Sequence, residues 1–156
     1  MRWERVLWWK IREIKKAMNL EEEIVAKLTE LEVLNLSHNK LTSLPTSTNH
    51  LANLTTLNLN HNKLTQFPEV VVTLINLTHL FVNDNQLSSL PTNLKNLKKL
   101  EELELRNNKM KSLCKNIVDI NHLKKLSVAG NPLVFEEITR LKMLMASQNI
   151  FIDIAG

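Results

Sequence analysis

The stretch "LEVLNLSHNKL" at 31–41 returns as "LTTLNLNHNKL" at 54–64 and as "LEELELRNNKM" at 100–110. Aligned on its first leucine, the unit begins at Leu31, Leu54, Leu77, Leu100 and Leu123, always 23 residues apart. A second column reads Leu34, Leu57, Leu80, Leu103 and Leu126, and a third Leu36, Leu59, Val82, Leu105 and Val128. Asn39, Asn62, Asn85, Asn108 and Asn131 form a fourth, closed by Leu41, Leu64, Leu87, Met110 and Leu133. Five rows without a register slip confine the chain to a repeat architecture. Each unit then buries its apolar face only by stacking on its neighbours.

Within a unit, the "L-x-L" centre alternates apolar and polar with period two, as a half-buried strand does. Stacking such units places the strands about 4.8 Å apart in a parallel sheet. The asparagine falls where the chain leaves the strand. Its amide both donates and accepts, so a stacked column can satisfy buried backbone groups of the turns. The second half also recurs, as "LTSLPTSTNHLANL", "LTQFPEVVVTLINL", "LSSLPTNLKNLKKL" and "MKSLCKNIVDINHL". Apolar positions three apart fit a short, tight helical turn. Pro45, Pro68 and Pro91 suit its start, where a fixed φ and a missing N–H cost little. Cys114 replaces the proline in the fourth unit. Thr48 stands where Val71, Leu94 and Ile117 are apolar, so that segment is expected to pack less well.

The pattern L-x-x-L-x-L-x-x-N-x-L resembles the leucine-rich repeat family over about residues 20 to 135. The 23-residue unit with its "LP" start is similar to the intracellular subclass of Ras suppressor protein, erbin-type scaffolds, plant intracellular Ras-group proteins and bacterial effectors. That resemblance implies an α/β fold. It is a right-handed leucine-rich repeat solenoid, with a parallel sheet on its concave face and short helical turns on its convex face. It also implies a non-enzymatic module that binds another protein on the concave face, with a small GTPase, kinase or phosphatase pathway as the analogy.

One domain is expected over 1–156, with an N-terminal helical cap at 1–20, repeats at 21–133 and a C-terminal cap at 134–156. Residues 21–30 fit the convex half of a unit, and upstream the pattern fails at Glu13 and Lys16. Over 2–18, Trp3, Val6, Leu7, Ile11, Ile14, Ala17 and Met18 make one apolar side at helical spacing. Trp8 flanks that side and Trp9 lies nearly opposite. Either both rings pack on the cap, or they mark a partner or membrane contact. At the other end "FEEITRLKMLMAS" reads as a longer helix with Phe135, Ile138, Leu141, Leu144 and Met145 inward. "IFIDI" at 150–154 reads as a last strand with Ile150, Ile152 and Ile154 on one face. These ends differ from the middle as caps do. The expectation is a complete small protein, the alternative a piece of a longer array.

Composition narrows the function. Apolar residues make up 44% of the chain and the net charge is +4, too mild to indicate a nucleic-acid binder. The lysines between Lys95 and Lys125 fall mostly on convex and edge positions and carry no nucleic-acid motif or interleaved aromatics. The single cysteine, Cys114, allows no internal disulfide, which favours a reducing compartment and a cytoplasmic location, or host cytosol for a secreted effector. No apolar run approaches the roughly 18 residues that span a bilayer. The start "MRWERVLWWK" does not read as a signal peptide. There is no glycine-rich phosphate loop, H-E-x-x-H, G-x-S-x-G or cysteine pair, so no enzyme, cofactor or small-molecule substrate is expected.

What remains is the variable set on the concave side. Its rows are Val33, Asn35, Ser37; Thr56, Asn58, Asn60; His79, Phe81, Asn83; Glu102, Glu104, Arg106; and Lys125, Ser127, Ala129. His38, His61, Asp84, Asn107 and Gly130 follow at the strand ends. His38 and His61 are close enough to share a metal, but nothing fixes a geometry, and a solvated ladder is the expected reading. Phe81 is read as the sole aromatic residue of the face, ringed by His79, Glu102, Glu104 and Lys125 in the manner of a binding hot spot. The expected contact set is Asn58, Asn60, His79, Phe81, Asn83, Asp84, Glu102, Glu104, Arg106 and Lys125, on a monomer that holds a partner protein. Two other readings stand beside it. One is a secreted pathogen effector that mimics such a host module. The other is a membrane- or nucleic-acid-associated protein using the basic, tryptophan-bearing N-terminus.

Overall fold

The structure is a computed structural model and describes residues 6–8, as backbone, and 29–154. Seven strands form one parallel sheet in chain order: β1 (Val6–Trp8), β2 (Val33–Asn35), β3 (Thr56–Asn58), β4 (His79–Phe81), β5 (Glu102–Glu104), β6 (Lys125–Ser127) and β7 (Phe151–Asp153). Leu34, Leu57, Leu80, Leu103 and Leu126 pair in sequence across β2 to β6, which is the register of the 23-residue period. Each middle leucine points inward while its neighbours stay half-exposed. From β3 to β6 this leucine is 0% exposed.

On the opposite side, four 3₁₀ turns stack at Thr46–His50, Glu69–Thr73, Thr92–Asn96 and Lys115–Asp119. Pro45, Pro68, Pro91 and Cys114 precede them in extended conformation. Three-residue spacing brings Val71, Leu94 and Ile117 inward from these turns, each at most 1% exposed. Thr48, expected to pack less well, is 2% exposed all the same. Its hydroxyl donates to the Pro45 carbonyl at 2.7 Å, so a polar atom is buried without an unmet hydrogen bond. Between sheet and turns the leucine columns form one continuous core.

The asparagine column is internal. Asn85 shows its pattern. Its Oδ1 accepts the Leu64 N–H at 3.1 Å, and its Nδ2 donates to the Leu59, Val82 and Asn83 carbonyls at 3.0, 3.3 and 3.0 Å. Asn62 and Asn108 repeat the arrangement, and Asn131 keeps its bonds to Met110, Leu105 and Val128. Each amide thus ties its own turn to the preceding row.

The ends differ from expectation in two places. The helix expected over 2–18 does not run through residues 6–8, which are a strand. The remainder of that segment, Trp9 included, lies outside the described residues. A 23-residue step back from Leu34 lands on Ile11, whereas the sheet pairs Leu34 with Leu7. The first unit is therefore longer, and a fixed period misses its strand. At the C-terminus, α1 (Phe135–Ser147) buries Leu141 and Met145 at 0% exposure. Phe135 was expected inward and is 78% exposed. At 100° per residue it lies about 120° around the helix from Leu141. Glu137 takes the inward place instead, 8% exposed. β7 follows as expected, with Ile150, Ile152 and Ile154 against the core.

Candidate partner-binding face

Three residues past each strand from β2 to β6 the backbone has positive φ: His38 at 57°, His61 at 55°, Asp84 at 55°, Asn107 at 53° and Gly130 at 72°. This is the left-handed region, where Asn, Asp, His and Gly are enriched. It follows a strand of only three residues, the outer two of which face the concave side. These side chains form a ladder along the rim. The His38 and His61 rings stack at 4.2 Å, His61 Nε2 lies 3.5 Å from Asp84 Oδ2, and Asn107 Nδ2 donates to Asp84 Oδ1 at 2.8 Å. Among the described residues, no group of three or more His, Cys, Asp or Glu side chains is placed to hold a metal ion.

Much of the asparagine on the concave side is structural. Asn35 Oδ1 accepts the Ser37 N–H and Asn58 Oδ1 the Asn60 N–H, at 2.9 and 3.0 Å. Asn60 Oδ1 accepts the Asn83 N–H and Asn83 Oδ1 the Arg106 N–H, both at 2.7 Å. Asn83 is buried, and its Nδ2 donates to Glu104 Oε2 at 2.8 Å. Of the expected contact set, Asn58, Asn60 and Asn83 therefore hold the end of the sheet together, and Asp84 belongs to the rim ladder.

The charged residues converge. Pairing of β4, β5 and β6 aligns His79, Glu102 and Lys125 in one line across the sheet, and Phe81, Glu104 and Ser127 in the next. The Lys125 ammonium donates to Glu102 Oε1 and, at 2.8 Å, to Glu104 Oε1. His79 Nε2 lies 4.0 Å from Glu102 Oε2, and the His79 and Phe81 rings are 6.3 Å apart. Arg106 reaches forward to pair with Asp153 of β7. Burial works against ionisation of Glu104, but hydrogen bonds from Lys125 and Asn83 outweigh it and hold this carboxyl below its usual range. The bonds to Glu102 and Glu104 raise the Lys125 ammonium above its usual value.

Two residues of this face were not anticipated. Phe151 and Asp153 extend it by one row, in register with Lys125 and Ser127. Phe151 is 63% exposed, so Phe81 is not the sole aromatic residue on the face. The signal was present: if Ile150, Ile152 and Ile154 face inward, period two turns Phe151 and Asp153 the other way.

A second hollow, of about 560 Å³, lies on the flank where the strands begin, between Glu30, Glu32 and Lys99. Its amides serve the scaffold. Asn53 Nδ2 donates to the Thr29 carbonyl and Asn76 Nδ2 to that of Ala52, both at 2.8 Å. Asn53 and Asn76 are thus part of the stacking.

Inward leucines, an internal amide column and a parallel sheet turned outward on one side define a leucine-rich repeat solenoid. A family profile described as a leucine-rich repeat region matches residues 2–150, and the chain belongs to that family. Comparison with curated proteins gives no match. Among solved structures, a leucine-rich repeat protein of Leptospira interrogans is 28% identical with a TM-score of 0.66, over 87% of this chain and 40% of its own. Internalin C2 of Listeria monocytogenes is 24% identical with a TM-score of 0.69, over 86% of this chain and 56% of its own. The leucine-rich repeat ectodomain of the receptor kinase SOBIR1 from Arabidopsis thaliana is 25% identical with a TM-score of 0.63, over 79% of this chain and 68% of its own. The chain thus spans about two fifths of the Leptospira protein and a little over half of the internalin. Leucine-rich repeat domains are typically interaction modules that use their extended concave surface.

Proposed function

We propose that this chain is a non-enzymatic, monomeric interaction module that holds a partner protein in the concave face, centred on Phe81, Glu102 and Lys125. One observation carries the reading. Aromatic and charged side chains gather on β4, β5 and β6, whereas the asparagines elsewhere on the face are engaged by the backbone. A half-exposed aromatic side chain ringed by charge has the composition of a binding hot spot. The 23-residue "LP" unit and the single cysteine support an intracellular member acting in the cytosol, and a signalling partner is the analogy that subclass offers. Phe81→Ala with Glu102→Lys is expected to abolish capture of the partner while the melting temperature stays within a few degrees. Retained capture would remove the concave face from consideration.

A second reading is favoured by the similarity to leucine-rich repeat proteins of Leptospira and Listeria. In it the same face engages a host protein after secretion. A translocation assay with the full chain separates the two, since only the effector reading predicts delivery into host cells.

A further inference from the structure

The carboxylates and cations of the concave cluster do not balance. Glu102 and Glu104 share the single ammonium of Lys125, and Arg106 is held by Asp153. Beyond that shared ammonium, Glu102 faces the His79 ring, its Oε2 4.0 Å from Nε2. The half-exposed ring of Phe81 lies on the neighbouring strand, in register with Glu104. A second, independent feature sits in the same cluster. Ser127, in register with Glu104 on one side and Asp153 on the other, is 0% exposed, and among the described residues its hydroxyl has no hydrogen-bond partner. A buried hydroxyl left this way is costly unless another state of the site satisfies it.

We infer that the concave surface of β4 and β5 receives a cationic side chain of the partner protein, an arginine or a lysine, held between the ring of Phe81 and the carboxylate of Glu102. The inference rests on the concave face being the contact surface, and it names the chemistry that this surface takes. A guanidinium or ammonium over an aromatic ring is attracted by the ring quadrupole, and a carboxylate at the ring's edge adds charge-assisted hydrogen bonds. The entering cation takes over Glu102. Lys125, with three N–H donors, then keeps Glu104 and donates to Ser127, two residues along the same face. The occupied site balances its charges and gives the Ser127 oxygen a donor. An anionic group finds no such place, because Lys125 and Arg106 already face carboxylates.

The test is selection of a phage-displayed random peptide library on the full chain, with each recovered peptide re-measured on Phe81→Ala and Glu102→Gln. Thermal melts establish that both variants are folded. The expected result is a group of peptides that lose binding to Phe81→Ala, carry arginine or lysine at one recurring position, and bind Glu102→Gln about tenfold more weakly. Peptides that need Phe81 but show no recurring cation, or that ignore Glu102→Gln, would overturn this inference and leave the concave face as the contact surface. Peptides that bind both variants as well as the parent would overturn the concave reading itself.

Discussion

Asn85 serves the chain through the four hydrogen bonds of one amide, and no other side chain of its size offers both donors and an acceptor in that plane. Asn85→Leu keeps the branching at Cγ but leaves the Leu64 N–H and up to three carbonyls unmet inside the turn. A loss of about 3 kcal/mol or more is expected from urea unfolding, against less than about 1 kcal/mol for an exposed site such as Lys63→Ala. Gly130 is held by a different constraint. Its φ is +72°, and a Cβ there would stand 2.1 Å from Asn107 Oδ1. Left-handed strain alone costs a non-glycine residue about 1–2 kcal/mol. The Asn107 side chain can move only by giving up its bond to Asp84. Gly130→Ala is therefore expected to lower the melting temperature by several degrees, with Gly130→Asn milder because asparagine tolerates that backbone. Equal effects from alanine and asparagine would contradict the role given to φ.

At the scale of elements, the C-terminal helix is fastened by one ion pair as well as by its apolar face. Glu137 Oε1 accepts the Leu113 N–H at 2.8 Å and an Arg140 Nη2 proton at 2.6 Å, while Oε2 accepts from Arg140 Nε at 2.8 Å. The Arg140 guanidinium holds the Glu137 carboxyl below its ordinary value near 4.5, against the opposing effect of burial. A depressed carboxylate binds fewer protons folded than unfolded. Its contribution is complete above the ordinary value and is lost as pH falls through the lowered one. Glu137→Ala at neutral pH is expected to cost about 3 kcal/mol, because Leu113 N–H and Arg140 lose their partner together. Glu137→Gln should flatten the acid limb of a stability-against-pH curve below about 4.5. An unchanged acid limb would assign the latch to the helix's apolar contacts alone. This latch was not legible in the sequence. Glutamate at the third position of a helix reads as a solvated first-turn charge, and only the place of Leu113 one row back turns it inward. The repeats were legible because each leucine recurs in a fixed column, so their burial is stated five times over. β1 is reached by a step of another length and has no column to confirm it. Of the candidate site, the row of Phe81, Glu102, Glu104 and Lys125 followed from alternation. The division between asparagines that cap backbone and side chains that remain available did not follow, because both kinds occupy outward positions.

Across the described molecule, each row from β2 to β5 is bonded to the one after it. Leu36 N–H bonds to the Asn58 carbonyl, Leu59 N–H to Phe81, Val82 N–H to Glu104 and Leu105 N–H to Ser127. Parallel pairing of this kind has no local hairpin to fall back on, so a row loses its support when its neighbour opens. The amides of Leu59, Val82 and Leu105 should therefore exchange only with unfolding of the array, more slowly than Val128, whose N–H bonds to Asp153 of the last strand. Leu80 lies at the middle of this stack with 0% exposure. Leu80→Ala is expected to cost about 3 kcal/mol through its cavity and lost contacts. If the rows form one cooperative unit, protection at Leu59 and Leu105 falls together by on the order of 100-fold, although neither residue is altered. Hydrogen exchange resolved by NMR makes the comparison directly. Loss confined to β4, with Leu59 and Leu105 as protected as before, would mean that the rows open one at a time. The concave cluster on β4, β5 and β6 would then lack a rigid platform, and its complementarity to a cationic partner would have to form on contact instead of standing ready.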